Sequence, residues 1–238
     1  MNTYPAIIQM SLQSKRLPRK VLADLGGEPL WWWSVRAALE SPAVSQVIID
    51  LPNNQADDEF FQHLTNSLLL KEAAKRVVIV RPAPKLPRPD LGFLLDWMDA
   101  TGYLQGKWVF RITADCPFVD PQDFTDLSTM QSHHPLKEHI YTTHTDQTPT
   151  GRTPGSDIEL FPVRPLRLWV LEALYRQLPH ASLDMGYESP PELTFMVDTL
   201  ADLLWARYIV KALPRPTETL IVPWYMGLKA SARLGGAL

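Results

Sequence analysis

Cysteine is almost absent from the 238 residues: Cys116 stands alone, so no intrachain disulfide can form. No apolar run reaches the length of a membrane span, and the first residues lack a signal peptide's basic-then-apolar pattern. A soluble cytoplasmic protein with no membrane partner is expected. Positive charge is not in excess either. The formal net charge is −3, which argues against a nucleic-acid partner and leaves the cations as a local feature. Two glycine signatures are also missing. There is no G-x-G-x-x-G, which a dehydrogenase would carry after its first strand, and no G-x-x-x-x-G-K-[ST].

Proline is what the chain has in abundance: 22 residues, nearly twice the usual share of about 5%. No proline-rich repeat occurs, so these residues are assigned to ordered turns. Apolar residues make up 45%, enough for a real core. No internal repeat or domain boundary is visible, so residues 1–238 are expected to form one domain. Residues 214–238, with Trp224 and Tyr225, are too aromatic for a free linker and are expected to pack as a C-terminal tail.

Strand-like and helix-like stretches alternate, the pattern of a mainly parallel sheet covered by helices. Strands are expected at Ala6–Met10, Val44–Asp50, Arg76–Val80 and Lys107–Thr113. Helices are expected in "PLWWWSVRAALES", with Pro29 in the first turn, in "NNQADDEFFQHLTNSLLLKEAAK" and in "DLGFLLDWMDAT". The second half is less regular. "HIYTT", "SDIELF" and Leu193–Val197 read as strands, and "RPLRLWVLEALYRQL" and "TLADLLWARYIVKAL" as helices.

Ligands of open α/β sheets bind at the carboxyl ends of the strands, and three polar clusters fall there. They are the loop "SLQSKRLPRKVL" with Lys15, Arg16, Arg19 and Lys20, then Asp115 with Asp120, then Asp198 with Asp202. A basic loop facing separated aspartates is what a metal–nucleotide site needs: cations for phosphate oxygens, carboxylates for Mg²⁺. Plainer readings exist for each. The loop can be a solvated basic turn, Asp115 a turn residue before Pro117, and Asp198 the cap of the helix opening at Thr199. Asp120 and Asp202 read as helix-start residues, and Cys116 as a small buried one. His133, His134, His139 and His144 read as a surface loop without zinc spacing. Three consecutive tryptophans, Trp31–Trp33, cannot share one helix stripe, so one is expected near the surface or at a subunit contact.

The order "AIIQ…S-x-RLP-x-KVL-x-DLGG-x-PL", "VFRITADCPFVDP", "GSDIELF" and "LTFMVDTLADL" resembles the cytidylyltransferases of the spore-coat polysaccharide biosynthesis type. These are relatives of the CMP-KDO and CMP-sialic acid synthetases. The resemblance runs from residue 5 to about residue 213, and "RITADCP-x-x-DP" is its most specific motif.

It implies a nucleotide-diphospho-sugar transferase fold, a Rossmann-like three-layer α/β/α sandwich. It also implies a Mg²⁺-dependent reaction of CTP with a small sugar or sugar acid, giving CMP-sugar and pyrophosphate for polysaccharide biosynthesis. Carried over by motif, Arg16 and Lys20 would grip the triphosphate, with Ser14 donating a hydroxyl and Gln9 near the base. Asp115 and Asp198 would hold Mg²⁺, Arg111 would support Asp115, and Asp157 would lie on the sugar side. A homodimer is compatible with Trp31–Trp33 and the aromatic tail.

The family's first loop usually reads A-R-M-G-S-T-R-L-P-G-K, whereas this chain has Ser11 for the arginine and Gln13 and Arg19 for the glycines. The loop is thus more basic and less open to close backbone approach. The stretch "RPAPKLPRPDLGFL" also departs from the family. Two other readings stay open: a non-catalytic nucleotide or nucleotide-sugar binding homologue, and a nucleotidyltransferase using another base.

Overall fold

The structure, a computed structural model, describes residues 2–81, 104, 108–133, 139–143, 158–162, 180–184 and 195–235. Nine strands lie among them: β1 Tyr4–Gln9, β2 Asp24–Leu25, β3 Glu28–Pro29, β4 Val44–Asp50, β5 Val77–Val80, β6 Trp108–Thr113, β7 His139–Thr143, β8 Glu159–Pro162 and β9 His180–Asp184. The helices are α1 Leu30–Glu40, α2 Asp58–Asn66, α3 Leu68–Glu72, α4 Pro121–His133, α5 Leu200–Ala212 and α6 Glu218–Gly235.

Seven strands form the central sheet in the order β5-β4-β1-β6-β8-β7-β9. β5, β4, β1 and β6 pair in parallel, β8 runs antiparallel to both β6 and β7, and β9 returns parallel to β7. Alternate residues of a strand face opposite sides. On β1, Ala6 and Ile8 join the main cluster with Trp31 of α1, Phe60 of α2 and Phe124 of α4. Ile7, and with it Ile48 and Val109, lie outside that cluster yet are fully buried, so both faces of the central strands are covered. At about 2 kcal/mol for each fully buried aliphatic side chain, this two-sided burial explains the continuous apolar stretches Ala6–Ile8 of β1 and Val47–Ile49 of β4.

The tryptophan run is split between two cores. Trp31 packs in the main cluster, Trp33 in a second one with Leu25, Phe118, Leu203 and Ile221, and Trp32 is the partly buried member. The second cluster takes in the C-terminal segment, where α6 buries Ile221 and Val222 against α5. Asp24–Leu25 and Glu28–Pro29 form a small hairpin through Gly26 and Gly27, both at positive φ. A Cβ on Gly26 would stand 2.5 Å from Val210 of α5, so the turn needs glycine for both conformation and space.

Several elements differ from the sequence reading. The segment expected as a strand at Leu193–Val197 joins no ladder in its described part, Phe195–Val197. A backbone bond from Val197 N–H to Asp115 O (2.9 Å) ties it to the turn after β6. The second helix is broken into α2 and α3 at Ser67. Pro29 precedes α1 as its N-cap rather than lying in its first turn. The histidine stretch is not simply loop, because His133 ends α4 and His139 opens β7. β9 was not foreseen. The expected helices "DLGFLLDWMDAT" and "RPLRLWVLEALYRQL" lie outside the described residues. Among the described residues no helix is long and apolar enough to cross a membrane.

Candidate active site

Gln9, Asp50 and Thr113 end β1, β4 and β6, and the register sets Gln9 opposite both of the others. These strand ends floor a cavity of about 560 Å³. Its walls carry Ser14, Arg16 and Lys20 from the first loop, Asp115 from the turn after β6, and Asp198 from just before α5. The structure therefore brings together six of the residues singled out by sequence: Gln9, Ser14, Arg16, Lys20, Asp115 and Asp198. Asp157 lies outside the described residues.

Lys20 is the centre of the arrangement. Its side chain is 9% exposed, and its ammonium donates to Asp115 Oδ2 and, at 2.9 Å, to Asp198 Oδ1. Burial works against the charge, but the two carboxylates outweigh it and hold the lysine above its ordinary pKa. Arg16, more than half exposed, reaches Asp198 Oδ1 from the solvent side at 2.7 Å. Asp198 does not cap α5. Thr199 does so, in a capping box with Asp202, whose carboxylate also takes the Asp198 N–H. The Asp198 carboxylate is thereby left to face the cations. Asp120 accepts from the Gln122 N–H at the start of α4, and Cys116 is buried.

The glycine-poor loop is held by side chains that the sequence did not advertise. Asp57, fully buried in the 3₁₀ turn Gln55–Asp57, accepts from Leu12 N–H (2.7 Å), Ser11 Oγ–H (3.1 Å) and Asn54 Nδ2–H (2.9 Å). Ser11, where the family pattern has arginine, is thus an anchor. Gln13 reaches Asn54 Oδ1 at 3.0 Å. Arg19, where the pattern has its second glycine, takes φ 60° and ψ 20° at the head of the 3₁₀ turn Lys20–Leu22. Its guanidinium forks onto Glu59 at 2.7 and 2.8 Å, clear of the cavity wall. The chain keeps the left-handed conformation that glycine would supply and turns the side chain onto α2. The expected obstruction at Arg19 does not arise.

Arg111, expected to support Asp115, donates its Nε–H to Gln9 Oε1 (3.0 Å). Asp50 escaped the sequence reading because it looked like the last residue of a buried strand. It lines the cavity, and Gln9 Nε2–H donates to its Oδ2 at 3.4 Å. Burial pushes its carboxyl up to about 6, against the opposing pull of the Gln9 hydrogen bond.

The donor set of Asp115 and Asp198 fits a magnesium ion. Asp115 and Asp198 offer hard oxygen ligands that already converge on one cation, the Lys20 ammonium. Among the described residues no three His, Cys, Asp or Glu side chains gather into a cage. Mg²⁺ commonly takes one or two carboxylates and completes its shell with water and phosphate.

A family model described as cytidylyltransferase matches residues 5–152. The fold is shared with a cytidylyltransferase from Leptospira borgpetersenii serovar Hardjo-bovis, at 17% identity and a TM-score of 0.71 over 97% of this chain and 96% of that one. It is also shared with CMP:2-keto-3-deoxy-manno-octonic acid synthetase complexed with CTP, at 14% identity and 0.63 over 89% and 99%. A third likeness is to 4-diphosphocytidyl-2C-methyl-D-erythritol synthase from Anaerococcus prevotii, at 11% identity and 0.59 over 88% and 96%. No curated protein is similar enough in sequence to count as a match.

Proposed function

Because this chain belongs to the cytidylyltransferase family of nucleotidyltransferases, we propose that it transfers a cytidylyl group from CTP to a sugar or sugar acid. The products are a CMP-sugar and pyrophosphate, and the setting is surface-polysaccharide biosynthesis of the spore-coat type. The observation that carries the reading is the buried Lys20 ammonium between Asp115 and Asp198, at the carboxyl ends of the parallel strands. Support for a sugar-acid acceptor comes from the shared fold of the synthetase that was solved with CTP.

In this reading an acceptor hydroxyl oxygen bonds to the α-phosphorus while the bond to the β-bridging oxygen breaks. Pyrophosphate leaves with that electron pair, and the hydroxyl proton passes to solvent. Lys20 and Arg16 hold the triphosphate and offset charge gathering on the leaving group. Lys20 acts from a largely desolvated position, where its charge counts for more than it would in water. Ser14 Oγ accepts from the Leu17 N–H (3.3 Å), which orients its O–H proton as a further donor. Gln9, its amide fixed between Arg111 and Asp50, lies toward the base. Asp115 and Asp198 would hold Mg²⁺, which supplies charge neutralisation on the phosphates when bound. Asp157 is proposed on the acceptor side, by motif alone.

The test is pyrophosphate release from CTP and Mg²⁺ with a panel of sugars and sugar acids, repeated with UTP, GTP and ATP. The expected result is release that needs CTP, metal and one class of acceptor together. Release that is equal for all four nucleotides, or none with any acceptor while CTP still binds, would overturn it.

A further inference from the structure

The cavity has two chemically different ends. Lys15, Arg16 and Lys20 all come from the first loop, and the last two are engaged with Asp198 and Asp115. Asp50 lies on β4 at the cavity wall, is 8% exposed, and forms no ion pair with those cations. Among the described residues, the one hydrogen bond to its carboxylate is the long contact from Gln9. A buried carboxylate is costly unless donors satisfy it, and this one has lone pairs to spare at the wall of an open cavity. Phosphates will not approach it. A neutral ligand end that carries an N–H donor will.

We propose that Asp50 is the residue that selects the nucleobase, accepting a hydrogen bond from the exocyclic amine of cytosine. The inference rests on the cavity being the nucleotide site. Cytosine presents an amine where uracil presents a carbonyl oxygen, so one carboxylate attracts the first and repels the second. The surroundings suit a flat ring, since Met10 and Pro52 line the cavity beside Asp50. Arg111 supports the arrangement from behind: by holding Gln9 Oε1 it turns the Gln9 Nε2–H₂ group toward Asp50. The Gln9 amide is thereby locked in one orientation, and the acceptor facing the base is Asp50.

The experiment measures binding of CTP, UTP and inorganic pyrophosphate, each with Mg²⁺ at pH 8, to the wild type and to Asp50→Asn. Asparagine is isosteric and removes a buried charge, so the fold is kept, and a melting curve checks this. The wild type is expected to prefer CTP over UTP. In Asp50→Asn that ratio should fall about tenfold or more, with pyrophosphate affinity unchanged. An unchanged ratio would overturn the role of Asp50 while leaving the nucleotide site intact. Equal weakening of all three ligands would assign Asp50 a structural role and overturn it as well. Absence of nucleotide binding by the wild type would overturn both this inference and the function on which it rests.

Discussion

Lys20→Met is expected to lower turnover with CTP by roughly 10²- to 10³-fold, the usual loss when one preorganised donor to a developing charge is removed. Methionine keeps the length of the side chain, so the 3₁₀ turn and the packing of Val21 should survive. What goes is the only described cation that touches both Asp115 and Asp198. Arg16 remains on Asp198, but from an exposed position where solvent weakens it. Stability should fall too, because two partly buried carboxylates then face each other without the ammonium. The sign follows from the raised lysine pKa. From neutral pH up to the ordinary lysine range the pair stabilises the fold, and this is lost as pH climbs through the raised value. The mutant's deficit in melting temperature should therefore be steady across neutral pH and shrink in strongly alkaline solution. Steady-state pyrophosphate release and a melting series against pH measure the two effects. Wild-type turnover in Lys20→Met would remove this residue from the chemistry.

Asp57→Ala should be the most damaging change away from the cavity wall. It strips the acceptor from the Leu12 N–H and from the Ser11 and Asn54 side chains in a fully buried place. Leaving such donors unsatisfied costs about 3 kcal/mol, or roughly 8 °C of melting temperature for a chain of this size. Because the loop from Ser11 to Lys20 hangs on those bonds, CTP affinity should weaken as well, by about tenfold or more. Thermal denaturation and nucleotide titration of the same protein check both numbers. A stable mutant with unaltered CTP affinity would mean that the loop holds its shape by other means.

The strands that carry the site were readable because β1, β4 and β6 are buried on both faces and so appear as apolar runs. The polar clusters directly after β1 and β6 pointed to the site because a charged group at the end of such a run has to face an opening, whereas Asp50 passed as the end of β4. Asp57 was not readable. In "NNQADDEFF" it looks like one of several acids opening a helix, and its partner Leu12 is 45 residues away. Arg19 misled in the opposite direction. A missing glycine suggested a blocked loop, yet arginine holds φ 60° there and spends its side chain on Glu59. β9, "HASLD", has too little apolar alternation to announce itself and owes its state to pairing with β7. The capping of α5 was half readable: Thr199 and Asp202 stood at the right spacing, but the cap role had to be taken from Asp198 before its carboxylate could be given to Lys20.

A crystal structure with CTP and Mg²⁺ bound tests the central claim most directly. The expected result is Lys20 and Arg16 on triphosphate oxygens, with a metal ion held by Asp115 and Asp198 in the cavity beside β1. Nucleotide bound elsewhere on the molecule, or bound in the cavity with Lys20 still clamped between both carboxylates and no metal there, would contradict it.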